Sequence, residues 1–546
     1  MIIKGHFTKG TTVISLLKEE EQKKYFCCKI NGRIRELSYS FDNDIEAVIE
    51  FLDVHSTDAC RIYESSLRFV TALAIKSIDK SLDVRFFYNI SRSVFGRVVS
   101  SKKGFRVTYD LVKKIEERVK QIVEADIQFN RIKISKADAL EKYRKDGLHD
   151  KIQVLRYRSE NFVHLYECKY NDLDYFDYLY SYLVPSSGFL KEFRFRYYAP
   201  GFIMQVPRAE CGGVIPHFED EMKFAASLAT NSHWAERNEI DTVSNINKFL
   251  KTYGSMALIN LSEARMNNTL TEVGEDICLR EEPIRLICVA GPSSSGKTSF
   301  ANRLLYELMA RGLRPIRISV DNFYIPKNEM KEGTDLESLD AIDIPFFNQV
   351  MSGLISGEEV AMPSYDFKNG IRSFSKPISL KGNEPIIIEG IHALNSKLTT
   401  TIPEQQKFKI YIAPQPQVNI DNHTPLSMTD MRLLRRIVRD SRTRGSDASE
   451  TISMWPNVRS GEFNYIYPTQ ENADFVFDSF FPYEPCALRN YVLPLLDKVS
   501  SNDKGYMTAM RLKTMVKYFL PIATADIPCN SLMREFVGGS SFKDAR

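Results

Sequence analysis

At 546 residues the chain is too long for one ordinary hydrophobic core, and about three or four domains are expected. Its 43% hydrophobic and 26% charged content is that of a globular protein, and a formal net charge of +3 is too small to demand nucleic acid or an anionic membrane as partner. No run of about 18 apolar residues exists, the start Met1-Ile2-Ile3-Lys4-Gly5-His6 lacks the apolar core of a signal peptide, and the nine cysteines include no C-x-x-C pair, which points to a cytoplasmic protein with free thiols rather than a zinc site or a disulfide framework.

Residues 1–60 read as a small, strand-rich α/β module, with β-branched and aromatic runs at 11–17 and 25–30 and a turn at Asn31-Gly32. From 61 to 225, helical stretches such as 111–123 alternate with aromatic-rich strands such as 192–198, the pattern of an α+β domain. Residues 226–275 are mainly helical and polar and read as a connector. From 276 to 546, apolar strands alternate with amphipathic helices, as a parallel sheet covered on both faces requires. Val516, Phe519, Leu520 and Ile522 give the end of the chain enough apolar pattern to be folded.

The run Gly291-Pro292-Ser293-Ser294-Ser295-Gly296-Lys297-Thr298 fits G-x-x-x-x-G-K-[ST]. It follows an apolar strand at 284–290 and opens a helix in which Phe300, Leu304 and Leu308 share a face and Gly312 is placed as the stop. Glycines let the backbone curl until several N–H groups face phosphate oxygens, Lys297 neutralises charge, and Thr298 offers an oxygen to Mg²⁺. The chain is therefore expected to bind a nucleoside triphosphate.

Two acids follow apolar strands downstream. Asp321 ends the strand 316–320, where a general base facing the γ-phosphate belongs, although the same residue could simply cap the next segment. Glu389 ends the strand 385–388, where P-loop enzymes hold magnesium; a surface acid after a buried strand is the alternative. Six arginines lie between Arg432 and Arg444, with Arg432, Arg436 and Arg439 on one helical face. Such a row can close over a triphosphate, form a solvated basic face, or bind an RNA backbone. Tyr365-Asp366-Phe367 reads as an exposed aromatic loop able to stack on a base, or as core.

GPSSSGKT (291–298), SVDNFY (319–324), DLESLDAID (335–343), MPSYDF (362–367), IIIEGIHALN (386–395) and RLLRRIVRDSRTRG (432–445) together resemble the uridine kinase and phosphoribulokinase family of P-loop kinases. IPCNSLMREFVGGSSF (527–542) is similar to the closing segment of a bacterial nucleoside-kinase-like subgroup. The resemblance implies an ATP- and Mg²⁺-dependent kinase in which Asp321 takes the proton of an acceptor hydroxyl and Lys297 contacts the β/γ-phosphates. It implies phosphate binding by Gly291, Ser293, Ser294, Ser295, Gly296, Lys297, Thr298, Ser299, Arg439 and Arg444, and magnesium held at Thr298 and Glu389. It puts Tyr324, Glu337, Tyr365, Phe367 and Arg436 at the acceptor, expected to be uridine or a related nucleoside. Glu337 replaces the family's usual Asp, and Gly370 stands where uridine-cytidine kinases carry a base-contacting histidine, which leaves another hydroxylated metabolite as the alternative acceptor.

Residues 1–60 look like a TGS domain, a β-grasp module, and 61–225 are similar to the second domain of threonyl-tRNA synthetases. That domain's His-x-x-x-His helix is replaced here by Ser66-Leu67-Arg68-Phe69-Val70, and Gln205-Val206-Pro207-Arg208 stands near its second element, so hydrolytic editing and metal binding are not expected there. A binding or regulatory role is expected instead. An RNA-associated, nucleotide-controlled switch is the alternative of another class; tRNA binding is not favoured, no membrane partner is implied, and the family's habit of oligomerising implies a homo-oligomer.

Overall fold

Five short, mostly apolar runs build the central sheet of the C-terminal half, the three inner ones buried almost throughout and the two edge ones partly exposed. In the computed structural model, which describes residues 1–543 except 159, 179, 368 and 383, these are β1 (Leu286–Ala290), β2 (Ile316–Ser319), β5 (Ile386–Glu389), β6 (Lys407–Ala413) and β7 (Phe475–Asp478). Residues 544–546 of the expected last domain lie outside the described residues. The strands run parallel in the order β2-β5-β1-β6-β7, with Leu286 opposite both Ile386 and Lys407. Successive side chains of a strand point to opposite faces. Accordingly Ile287 and Val289 pack with Phe300, Leu304 and Leu308 of helix α1 (Lys297–Ala310), while Leu286, Cys288 and Ala290 pack with Phe347 and Leu354 of the helix Ile344–Ser356. A strand covered on both faces is apolar throughout, which is why 286–290 reads as an unbroken run. A hairpin, β3 (Val360–Asp366) and β4 (Ile371–Ile378), stands outside this sheet.

The stretch read as a polar connector forms the helices Met222–Arg237 and Val243–Cys278, the second kinked at Gly254. Leu258, Ile259, Met266, Val273 and Ile277 share a core with Ile287 and Val289, so this stretch is a wall of the C-terminal domain. Its polar residues lie on the other helical face, and the overall composition hides that stripe.

In the N-terminal half, Ile2–Phe7, Ile45–Leu52, Cys27–Ile30 and Arg33–Arg35 form a sheet in that order, antiparallel throughout. Asn31 and Gly32, both at positive φ, make its two-residue hairpin turn. The β-branched run at 11–17, read as a strand, is instead a 3-10 turn at Val13–Leu16 that buries Val13 and Leu17, with the Ser15 hydroxyl donating to the Thr12 carbonyl at 2.7 Å. Local hydrogen bonding and burial of one side outweigh strand propensity here. A second antiparallel sheet (Arg194–Tyr198, Gly201–Gln205, Ser93–Ser100, Leu82–Ile90) and a third (Asn130–Ser135, Phe162–Tyr170, Leu173–Asp177) complete this half, the second against the buried helix Thr57–Ile78.

The halves are bolted together. Phe86 donates its N–H to the Asn422 carbonyl at 2.8 Å, and Asn419 Nδ2 donates to the Phe86 carbonyl at 2.7 Å. Beside them Lys151 Nζ lies 2.7 Å from Asp177 and 3.0 Å from Asp421, and His423 Nδ1 lies 2.6 Å from Asp177, all four side chains buried. Burial alone would depress the His423 pKa; the charge and hydrogen bond of Asp177, together with Asp83, outweigh it and lift the imidazole to about 10. Among the described residues no helix is long and apolar enough to cross a membrane.

Candidate active site

The loop 291–296 leaves the C-terminal end of β1 at the middle of the sheet, where the chain has filled one side before turning to the other. Open α/β sheets hold ligands at such a crevice. A Cβ on Gly291 would lie 1.9 Å from the Ile412 carbonyl oxygen, so only glycine fits against β6. Ser294 (φ 60) and Gly296 (φ 90) take the left-handed turn that curls the backbone before α1. The Ser294 and Ser295 hydroxyl oxygens are buried without a hydrogen-bond partner. Lys297 Nζ folds over the loop, donating to the Gly291 and Pro292 carbonyls at 2.9 and 3.2 Å. Burial lowers its pKa against the pull of Glu389, Asp321 and Glu535.

The two strand-end acids meet at this crevice. Ser319 of β2 is paired with Glu389 of β5, which is in turn paired with Val289 of β1. Asp321, in the turn Val320–Phe323 that follows β2, therefore stands two strands from the phosphate loop. Its carboxyl opens to the cleft but is walled by protein, and that desolvation raises its pKa against the positive charge of Lys297. Glu389 is buried, and desolvation first and Asp321 second push it up to about 6; its other neighbour, Arg317 Nη1, is 3.5 Å away. Glu389, buried at the strand end, is therefore not a surface acid.

Close to Asp321, whose charge Tyr324 feels, is an aromatic cluster. Tyr324, Tyr365 and Phe367 form a triangle with ring centroids 5.0 to 5.6 Å apart. The expected aromatic loop is in part strand: Tyr365 lies in β3, and only Phe367, 61% exposed, is beyond it. Tyr324 Oη donates to the Leu336 carbonyl at 2.8 Å, tying the cluster to the segment that carries Glu337. Burial raises the Glu337 pKa, opposed by Arg436 and Lys297, and the segment rests on Gly461, where a Cβ would lie 2.9 Å from that of Glu337. Gly370 turns the hairpin at φ 69, and a Cβ there would lie 2.6 Å from Lys327 Cβ, so this hairpin has no room for a histidine.

The arginines of helix α2 (Met428–Thr443) divide into two sets. Arg432, read as part of a row over the triphosphate, is wholly buried in a bidentate pair with Glu462, its Nε donating to the Ser293 carbonyl at 2.9 Å. Arg435 is wholly buried against Glu484 at 2.6 Å and reaches the Ser294 and Ser295 carbonyls. A buried guanidinium needs such a partner, so these two brace the loop from behind. Arg436, Arg439 and Arg444 gather around the buried Asp440 at 3.2, 2.8 and 3.6 Å, and Arg436 Nη1 also donates to Ser293 Oγ at 2.9 Å. They form the positive rim of the crevice.

Several site residues escaped the sequence reading. Arg372 joins hairpin to acceptor segment, 3.0 Å from Asp343 and donating to the Tyr324 carbonyl at 2.8 Å. His392 is buried at the same place, its pKa lowered by desolvation, with its ring edge-on to Tyr465, whose hydroxyl donates to Asp335 at 3.2 Å. Position alone could have flagged His392, three residues after Glu389; nothing local marks Arg372. In the N-terminal half, Arg68 pairs with Glu64, which also holds Arg208 at 2.6 Å, so these three side chains form one ion network.

A parallel sheet with a glycine-rich loop between a buried strand and a helix, two strand-end acids and an arginine rim define a P-loop phosphotransferase domain. Residues 286–482 match the Phosphoribulokinase / Uridine kinase family, and the chain belongs to it. It is similar to the uridine kinase of Staphylococcus carnosus, 31% identical over 196 residues that make up 35% of this chain and 85% of that one. The uridine kinase of Staphylococcus haemolyticus is 30% identical over 196 residues, 35% of this chain and 86% of that one. A solved structure described as a possible uridine kinase from Bacillus stearothermophilus is 17% identical, covers 39% of this chain and 100% of that chain, and has a TM-score of 0.28.

The family implies ATP as donor together with Mg²⁺. The residues present suit both: unpartnered Ser294 and Ser295 hydroxyls and left-handed backbone fit phosphate oxygens, and a hydroxyl at Thr298 with a carboxylate at Glu389 is the hard oxygen set that Mg²⁺ takes.

Proposed function

We propose that the C-terminal half transfers the γ-phosphoryl group of ATP to a hydroxyl of a nucleoside of the uridine type, giving its 5′-monophosphate. The observation that carries this is the nearness of Asp321 both to Lys297 and to Tyr324, which packs with Tyr365 and Phe367. Asp321 accepts the proton of the acceptor hydroxyl as that oxygen bonds to phosphorus and the bond to the β–γ bridging oxygen breaks, releasing ADP. Lys297 and the loop amides hold the phosphate oxygens, and Arg436, Arg439 and Arg444 supply positive charge where negative charge spreads. Thr298 and Glu389 would hold Mg²⁺, which when bound neutralises phosphate charge. The aromatic cluster offers flat faces to a base, and Glu337 offers a carboxylate to sugar hydroxyls.

Gly370 favours a second acceptor, another hydroxylated metabolite such as a phosphosugar or pantothenate-like compound, because the hairpin carries no base-reading histidine. For the N-terminal half, with its ion network at Glu64, we propose a binding or regulatory role. The test is incubation with ATP, Mg²⁺ and a panel of nucleosides, sugar phosphates and pantothenate, with products identified by mass. A nucleoside monophosphate supports the first reading; phosphorylation of a non-nucleoside alone supports the second.

A further inference from the structure

The end of the chain, beyond the part that matches the family, reaches back into the phosphate loop. Glu535 Oε2 accepts a hydrogen bond from Ser299 Oγ at 2.8 Å and from the Ser299 N–H at 3.4 Å. Ser299 is in the first turn of α1, where backbone N–H groups have no intrahelical partner and face an incoming anion. Lys297 also feels the Glu535 charge. A carboxylate thus stands on donors that phosphate oxygens would take.

The contact is built into the fold. Leu532, Met533 and Phe536, on both sides of Glu535, are at most 1% exposed. Leu532 packs over Gly296, its Cδ2 3.4 Å from where a Cβ would be. Arg442 Nη1 donates to the Phe536 and Glu535 carbonyls at 2.7 and 3.3 Å, and the buried Arg435 guanidinium lies 4.8 Å from the centre of the Phe536 ring. The helix that rims the triphosphate crevice and the helix that starts at the phosphate loop are therefore both clasped by the segment that carries Glu535. An acid held in this way by neutral and positive neighbours competes directly with a polyphosphate for Ser299.

We propose that Glu535 is a resident anion of the nucleotide site, and that nucleotide binds by exchange with it, so that the C-terminal segment 532–539 is a gate setting nucleotide affinity. The proposal rests on the reading of 291–299 as the triphosphate site. Glu535→Gln removes the charge but keeps the shape and an acceptor oxygen, so it weakens the hold on the Ser299 donors and leaves the packing of Leu532 and Phe536 intact.

The test is equilibrium binding of ADP, inorganic tripolyphosphate and adenosine to the full-length protein and to Glu535→Gln, with thermal melting as the folding check. Glu535→Gln is expected to bind ADP and tripolyphosphate about tenfold tighter or more, as for loss of one competing charge-assisted contact, with adenosine unchanged. In the wild-type protein, ADP is expected to increase amide exchange across 532–539, a readout that needs no substitution. Unchanged or weaker ADP binding by a folded Glu535→Gln overturns the gate, and loss of ADP and adenosine binding together would make Glu535 a nucleoside contact. If neither protein binds ADP or tripolyphosphate while both melt cooperatively, the reading of the loop fails and the gate with it.

Discussion

Glu389 and Asp321 stand at the ends of neighbouring parallel strands, and the charge of Asp321 adds to burial in lifting Glu389 to about 6. Two carboxyls with raised pKa values face one lysine, the arrangement expected where one acid attends a cation and the other takes a proton. In the proposed reaction both act in the ionised form. Activity is therefore present above these pKa values and lost as the pH falls through them.

At limiting Mg²⁺, kcat/KM is expected to fall as the pH drops below about 6, and raising Mg²⁺ is expected to move that limb to lower pH, because a cation on Glu389 keeps it ionised. Glu389→Gln should remove the limb assigned to Glu389 and raise the Mg²⁺ concentration needed for activity. A flat profile down to pH 5 would separate Glu389 from the reaction.

Tyr365→Ala is expected to raise KM for the acceptor while KM for ATP stays within about twofold, because the ring packs with Tyr324 and Phe367 and makes no contact with the phosphate loop among the described residues. Equal changes in both constants would place Tyr365 in the core instead.

The arginine helix predicts a division between stability and activity. Arg435→Ala removes one partner of a buried bidentate pair and should cost roughly 3–5 kcal/mol in chemical unfolding. Arg439→Ala should leave the unfolding midpoint nearly unchanged and lower kcat. Helical spacing does not separate Arg432 and Arg435 from Arg436 and Arg439: all lie on one amphipathic helix, and burial is decided by Glu462 and Glu484, 30 and 49 residues away. The phosphate loop and the two strand-end acids were legible because their chemistry is local, a motif or an acid at the end of an apolar run. The 3-10 turn at Val13–Leu16, the buried stripe of the helix Val243–Cys278 and the Glu535 contact, 236 residues from Ser299, depend on what the chain packs against, which residue order alone does not display.

The buried group of Lys151, Asp177, Asp421 and His423 predicts a pH dependence of the contact between the halves. The facing charges also include Asp83, 3.7 Å from His423 Nε2. With its pKa raised from 6.5 to about 10, His423 contributes stability that is fully present below 6.5 and lost as the pH rises toward 10. The melting temperature should fall over that window, and His423→Gln should be less stable at pH 6.5 and lose that dependence. An identical pH profile in the variant would assign the fall to other groups.

The most direct measurement is transfer of radiolabelled γ-phosphate from ATP to uridine, followed by separation of the nucleotides, for the wild-type protein and Asp321→Asn at equal ADP affinity. Labelled uridine monophosphate from the wild type, with transfer by Asp321→Asn lower by about 10²–10⁴-fold, is the expected result. Near-wild-type transfer by Asp321→Asn would contradict the assignment of the base, and ATP binding with no labelled product from uridine or any other nucleoside would contradict a nucleoside kinase.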